Sequence, residues 1–323
     1  MWDEQGLVAA YVLDGDGGGR AVGFPEIDAW APDRGVLWVH LHRGQLSRQW
    51  LTEKSGLEPL VAEALLAEET RPRSVVIGKG LLVILRGVNL NPGADPEDMV
   101  SLRVWLEEKR IISVRMRRLM AVQDLRDGLA TGHGPTGPGD FVAEIATRIV
   151  ERMGPVIHDL DDRTDGLEDE MLTGQGREMR HTLAEIRHQA IVLRRYLAPQ
   201  RDAAARLQTE DLHWMTAQHK GRVREATDRV IRYIEDLDAI RERAGVIQDE
   251  MVNRLSEQMN RTMYHLTVVA TIMLPLGFLT GLLGINVGGI PGSGSSWGFA
   301  VVCAILVGAV GVQVMLFRRL RWL

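Results

Sequence analysis

Four carboxylates, Asp228, Glu235, Glu242 and Asp249, recur at intervals of seven, and one amide, Asn286, follows Gly284 and Ile285 at the end of an uncharged apolar run. These residue types suit a divalent cation. A column of carboxylates repeated around an axis would concentrate such ions through its summed negative potential. The same spacing also fits an ordinary solvated helix face with Arg224, Arg232, Arg241 and Arg243 close by. The Asn286 amide oxygen can accept hydrogen bonds from the water shell of an ion or bind it weakly, and helix-end carbonyls near Gly284 and Ile285 add to it. Weak binding suits an ion that must be released, because thiolate, imidazole and carboxylate hold zinc tightly. Asn286 equally suits a helix C-cap before a glycine turn, and the two roles are compatible. The histidine pairs are poorer candidates: His158 with Asp162, His181 with His188, and His213 with His219 each lack a third ligand nearby, and read as surface groups of charged helices. His265, beside Tyr264 at the inner end of the first span, reads as an interfacial residue. No phosphate-binding loop or nucleophile constellation is present, so neither an enzyme nor a cofactor is expected.

The elements that must position Asn286 lie near the C-terminus. From Thr262 to Phe317 there is no Asp, Glu, Lys or Arg. A helix needs about 20 apolar residues to cross a hydrocarbon core of roughly 30 Å, and residues 266–285 and 297–317 each supply that length. Arg254 and Arg261 precede the first span and Arg318, Arg319 and Arg321 follow the second, so the positive-inside rule puts both chain ends in the cytoplasm. The loop 286–296 then faces outside, with Gly288, Gly289, Gly292, Gly294 and Pro291 permitting a tight return.

Ahead of the first span, no proline occurs between Met215 and Pro275. Val223, Ala226, Val230, Tyr233, Leu237, Ile240, Ala244, Ile247 and Met251 form a sustained heptad stripe roughly opposite the acidic column. One helix of about 70 residues, about 100 Å long, is expected to run from the cytoplasm into the membrane and to pack on neighbours through oligomerisation.

The remainder divides by composition. Residues 1 to about 140 read as α/β, with strands at 6–13 and 35–41, a helix at 57–66, and hairpins pairing 74–77 with 81–85 and 100–106 with 110–115. A breaker cluster at 131–139 ends this domain. Two long charged helices follow, 141–172 and 177–209, the second with a potential break at Pro199. The domains expected are therefore an α/β domain at 1–140, a helical stalk at 141–261 and a membrane hairpin at 262–323. The net charge of −5 over 323 residues argues against a nucleic-acid partner. The single cysteine, Cys303, lies in the second span and excludes an intrachain disulfide and a Cys-cluster metal site. Asp3 and Glu4 leave the N-terminus without the apolar core of a signal sequence.

Gly284-Ile285-Asn286 at the outer end of the first span of a C-terminal hairpin, with Pro291 shortly after, resembles the CorA superfamily of divalent-cation transporters, whose motif is usually Gly-Met-Asn. Ile285 departs from that motif, and the loop lacks the acidic residue common in the magnesium branch. Residues 287–292 instead resemble the zinc-associated ZntB branch, and the resemblance covers essentially the whole chain. It implies a funnel-shaped homo-oligomer, expected to be a pentamer, in the cell's inner (plasma) membrane. Matched residue by residue, Asn260, Met263, Leu266, Ala270, Leu274, Gly277 and Gly281 fall where the family lines its pore, with Met263 and Leu266 as an apolar neck and a ring of Asn286 at the mouth, and Thr267, seven residues from both Asn260 and Leu274, joins the line by its spacing. The glycines serve close helix packing in lipid equally well. The transported ion implied is zinc, with cadmium, nickel, cobalt or magnesium as other candidates, and the ZntB likeness suggests proton coupling although neither span carries an acidic residue. A magnesium or cobalt channel, or a membrane-anchored scaffold or metal sensor that conducts nothing, remain the alternative readings.

Overall fold

Short runs, most of them rich in Val, Ile and Leu, in the first third of the chain form strands β1 (Leu7–Leu13), β2 (Gly19–Ala21), β3 (Val36–His42), β4 (Arg73–Ile77), β5 (Gly80–Gly87), β6 (Val100–Leu106) and β7 (Arg110–Arg115), of which β3, β5, β6 and β7 are buried along nearly their whole length. The computed structural model describes residues 6–173, 178–284 and 294–319. The chain divides into two units, Met1–Gln248 and Asp249–Leu323.

In the first unit the strands form one sheet in the order β2-β1-β3-β7-β6-β5-β4, antiparallel throughout except that β3 runs parallel to β7. Both expected hairpins form. Gly78 turns the first in the left-handed region at φ +58°, and a Cβ on Gly80 would collide with the Trp105 ring on β6, so only glycine fits. Leu37, Val39, Leu41, Ile112 and Val114 pack one face of the sheet on Val61, Ala64 and Leu65 of helix α3 (Pro59–Leu66), which follows the short helices α1 (Phe24–Asp28) and α2 (Gln45–Gln49). The other face is covered by α4 (Met120–Thr131) and α5 (Pro138–Glu151), with Phe141 set edge-on to Trp38 at 5.0 Å.

Three expectations need correction. Sequence pattern alone did not predict α1, α2, α4 or β2, elements that are short or partly polar and are held by the sheet they cover. Residues 141–172 do not make one helix, because α5 stops at Glu151 and α6 (Gly154–Thr173) begins after Arg152 and Met153. By contrast, α7 (Glu178–Thr209) passes Pro199 without a break. Each proline removes one i→i−4 bond, so the flanking residues decide the outcome. Gly154 before Pro155 is a poor helix former, whereas Ala198 before Pro199 is the best. Buried Leu193, Leu197 and Ala203 then hold α7 against β4 and β5. The Gln200 side chain accepts a hydrogen bond from the Arg86 amide at 2.7 Å, on β5 beyond the end of β4.

Helix α8 (Ala217–Leu283, 67 residues) carries the expected stripe. Val223, Ala226, Val230, Leu237, Ile240, Ala244, Ile247 and Met251 are all buried, and Tyr233 is half-buried. Within the first unit, ion pairs tie α8 to its neighbours: Arg194 of α7 meets Asp238 at 2.6 Å, and Arg243 is gripped by Asp161 (2.8 Å), Glu168 (2.9 Å) and Asp165, all on α6. The second unit holds the end of α8 and helix α9 (Gly298–Arg319), and both helices are long and apolar enough to cross a membrane.

Candidate ion pathway

A helix turns about 100° per residue, so exposure along the span of α8 reports which side meets α9. Val268, Ile272, Leu276 and Leu279 are half-buried and share one face. On α9 the matching face carries Val302, Cys303, Leu306, Val310, Gln313 and Phe317. A cavity of about 460 Å³ lies between the helices, bordered by Met273, Leu276, Gly277 and Thr280 on α8 and by Leu306, Val307 and Val310 on α9.

Asn260, Met263, Leu266, Thr267, Ala270, Leu274, Gly277 and Gly281 are all exposed, with Leu274 the most open of the larger side chains at 74%. Their mean direction on the helix is about 180° from the half-buried face. One continuous line of apolar, small and uncharged polar residues is thus turned away from α9. Gly277 alone in this line also borders the cavity, so close packing and an open face meet there. The Thr267 hydroxyl donates to the Met263 carbonyl at 2.8 Å, which satisfies it within the helix and leaves its lone pairs outward. Pro275 interrupts the backbone ladder but not the helix. Gly284 closes the last turn through its amide to the Thr280 carbonyl at 3.0 Å, while Ile285 and Asn286 lie outside the described residues.

The acidic column is exposed at every position, Asp228, Glu235, Glu242 and Asp249, and none of the four has an ion-pair partner among the described residues. Sequence reasoning missed where two of the nearby arginines are directed. Arg241 turns to Asp238 at 3.7 Å, and Arg243 is drawn to α6, where the Glu168 and Asp165 carboxylates hold its pKa above the ordinary value. Partial burial raises the Asp236 carboxyl above its usual range, helped by Asp161 and Glu235. The column therefore keeps more of its negative potential than proximity in sequence suggested.

The histidines stay apart from this geometry. His158 pairs with Asp162 at 3.6 Å, His181 with Glu185 at 3.4 Å and His213 with Glu108 at 3.2 Å, all exposed. His219 accepts from the Thr216 amide, and His265 lies edge-on to Tyr264. Among the described residues no group of three or more His, Cys, Asp and Glu side chains converges to hold a metal ion.

Residues 33–319 match the family described as CorA-like Mg2+ transporter protein. The chain is 44% identical to the divalent cation transporter CmaX of Pseudomonas aeruginosa, over 99% of this chain and 98% of that one. It is 39% identical to the zinc transport protein ZntB of Pectobacterium atrosepticum, over 98% and 96% of the two chains. The solved structure of the full-length CmaX protein is similar with a TM-score of 0.87 at 42% identity, covering 99% of each chain.

Proposed function

This chain belongs to the CorA-like Mg2+ transporter family, and from that premise we propose that it carries zinc into the cytoplasm as a homo-oligomer, through a central path lined by its first span. Family membership makes it a divalent cation transporter and not an enzyme, with two C-terminal spanning helices. The observation that carries the proposal is the uncharged line from Asn260 to Gly281, exposed on the side of α8 opposite its contacts with α9. A single hairpin cannot enclose a hydrophilic path in lipid, so copies of α8 surround it, five if the assembly follows the expectation above.

In this reading the hydrated ion arrives at a ring of Asn286 and passes Gly281, Gly277, Leu274, Ala270 and Thr267. It then crosses the apolar neck of Leu266 and Met263, which stops ions by dewetting when narrow, and leaves past Asn260. Asp228, Glu235, Glu242 and Asp249 draw it into the cytoplasm. The protein sits in the inner (plasma) membrane with both ends inside, as the flanking arginines indicate. The relative named a zinc transport protein supports zinc, as does the uncharged loop. Magnesium or cobalt passage is the second reading, since these ions also travel hydrated among oxygen ligands.

The test is uptake into proteoliposomes loaded with a zinc-sensitive dye, for the wild type and Asn286→Ala, with magnesium as competitor and the pH gradient set to zero or imposed. Zinc entry that is lost in the variant and resists excess magnesium is expected. Acceleration by the gradient would identify proton coupling. Magnesium entry without zinc entry moves the protein to the second reading, and no flux of either ion refutes transport.

A further inference from the structure

The segment joining α3 to β4 is held by three guanidinium groups beneath it. Arg43 Nε donates to the Leu66 carbonyl at 2.8 Å, Arg103 Nη2 to the Ala67 and Glu68 carbonyls at 2.8 and 3.2 Å, and Arg86 Nε and Nη2 to the Thr70 carbonyl at 3.2 and 2.9 Å. Beside this segment, against α7, lies a cavity of about 550 Å³ lined by Glu68, Glu69, Thr70, Arg71, Arg86, Arg195 and Tyr196. That volume falls in the range of small-molecule sites.

Its charges are unbalanced. Arg71, Arg86 and Arg195 have no carboxylate ion-pair partner among the described residues, whereas Glu68 is taken by Arg43 at 3.0 Å. Arg86 and Arg195 both stack on the Tyr196 ring, at 4.2 and 4.9 Å from its centre, which brings two like charges to one aromatic group. Burial, and then the Arg195 charge, work against protonation of Arg86, although Tyr196, Asp98 and Glu69 favour it. Thr70 Oγ1 is shielded from solvent with no hydrogen-bond partner among the described residues. Arg71 and Arg195 with the orphan hydroxyl fit an oxyanion, because guanidinium forks match phosphate oxygens two at a time, while Arg86, its donors spent on the Thr70 carbonyl and, through Nη1 at 3.0 Å, the Met99 carbonyl, adds its positive charge. Glu69, which has no ion-pair partner among the described residues, supplies an acceptor for hydroxyl groups carried by the same ligand. No aliphatic side chain lines the cavity, so it offers nothing to an acyl chain.

We infer that this cavity is a binding site for a small soluble phosphate-bearing metabolite, held by Arg195 and Arg71 over Arg86, with Thr70 and Glu69 meeting its hydroxyl groups. The cavity shares no residue with the ion path, and binding there requires no transport to be observed. The test is isothermal titration calorimetry of the full-length protein in detergent, free of divalent metal, with glycerol phosphate and with inorganic phosphate. Saturable binding is expected, tighter for glycerol phosphate and weakened by added salt. Arg195→Gln and Arg71→Gln should each weaken it about ten-fold or more. Arg195→Lys should fall between wild type and Arg195→Gln, since lysine keeps the charge but not the fork. Arg20→Gln, far from the cavity lining, should bind as the wild type does, and unchanged circular dichroism and elution volume would show that the variants fold. No saturable heat, or equal affinity in wild type, Arg195→Gln and Arg71→Gln, overturns the inference. Displacement of glycerol phosphate by phosphatidic acid in nanodiscs, but not by inorganic phosphate, overturns the assignment to a soluble ligand.

Discussion

His40 on β3 should make the first unit acid-sensitive in a way that a single substitution removes. The side chain is 0% exposed, with Nδ1 at 2.8 Å from Ser113 Oγ, which also accepts from Trp38 Nε1 at 2.9 Å. Nε2 has no partner. Burial first, then the charges of Arg115 and Arg126, push its pKa well below the ordinary 6.5. Below pH 6.5 the unfolded chain takes up a proton that the folded chain refuses, so the unfolded state binds more protons and stability falls as pH falls. For one site the loss approaches about 1.4 kcal/mol per pH unit, continuing until the folded pKa is reached. In a domain of this size that corresponds to roughly 3–6 °C in Tm per pH unit. Thermal unfolding followed by tryptophan fluorescence between pH 7.5 and 5 reads the effect, since Trp38 lies 6.1 Å from the His40 ring. His40→Asn keeps a polar group facing Ser113 and removes the titration. Carboxylates and the other histidines contribute to both curves, so the difference between them isolates His40. Parallel pH profiles for the two proteins would refute the reasoning.

Arg243→Gln should release α8 from α6, because one guanidinium serves Asp161, Asp165 and Glu168. Its side chain is 32% exposed and its partners are more so, so solvent screening holds the loss to about 1–2 kcal/mol for the network. Denaturant titration should show that loss shrinking at high salt, and a double-mutant cycle with Asp161→Asn should give a nonzero coupling. Leu237→Ala, at a fully buried stripe position, should cost about 2–5 kcal/mol, read as a lower denaturant midpoint at unchanged slope.

Much of the fold is local, and such features are legible in the sequence. The buried line from Val223 to Met251 follows from heptad spacing, because a helix must turn its apolar stripe toward a partner whatever that partner is. The span needs no partner to be recognised, since the absence of charge from Thr262 to Phe317 already excludes water as its solvent. Turns such as Gly78 are set by backbone sterics within a few residues.

What tertiary structure decided involves groups far apart in the chain or choices of nearly equal local energy. Prolines 155 and 199 carry the same local penalty, and neighbouring residues together with sheet packing made one a break and the other a passage. The parallel contact of β3 with β7 joins strands separated by three others, which no periodicity encodes. Arg243, close in sequence to the acidic column, was drawn away by carboxylates of α6, whose positions depend on how the helices pack, whereas Arg241 turns to Asp238 three residues back on its own helix. The exposed line on α8 likewise required α9 to cover the opposite face. Sequence determined which residues are apolar, charged or conformationally special, because those are properties of single residues and short spacings. Tertiary structure decided which of them meet, because that depends on the spatial arrangement of distant segments.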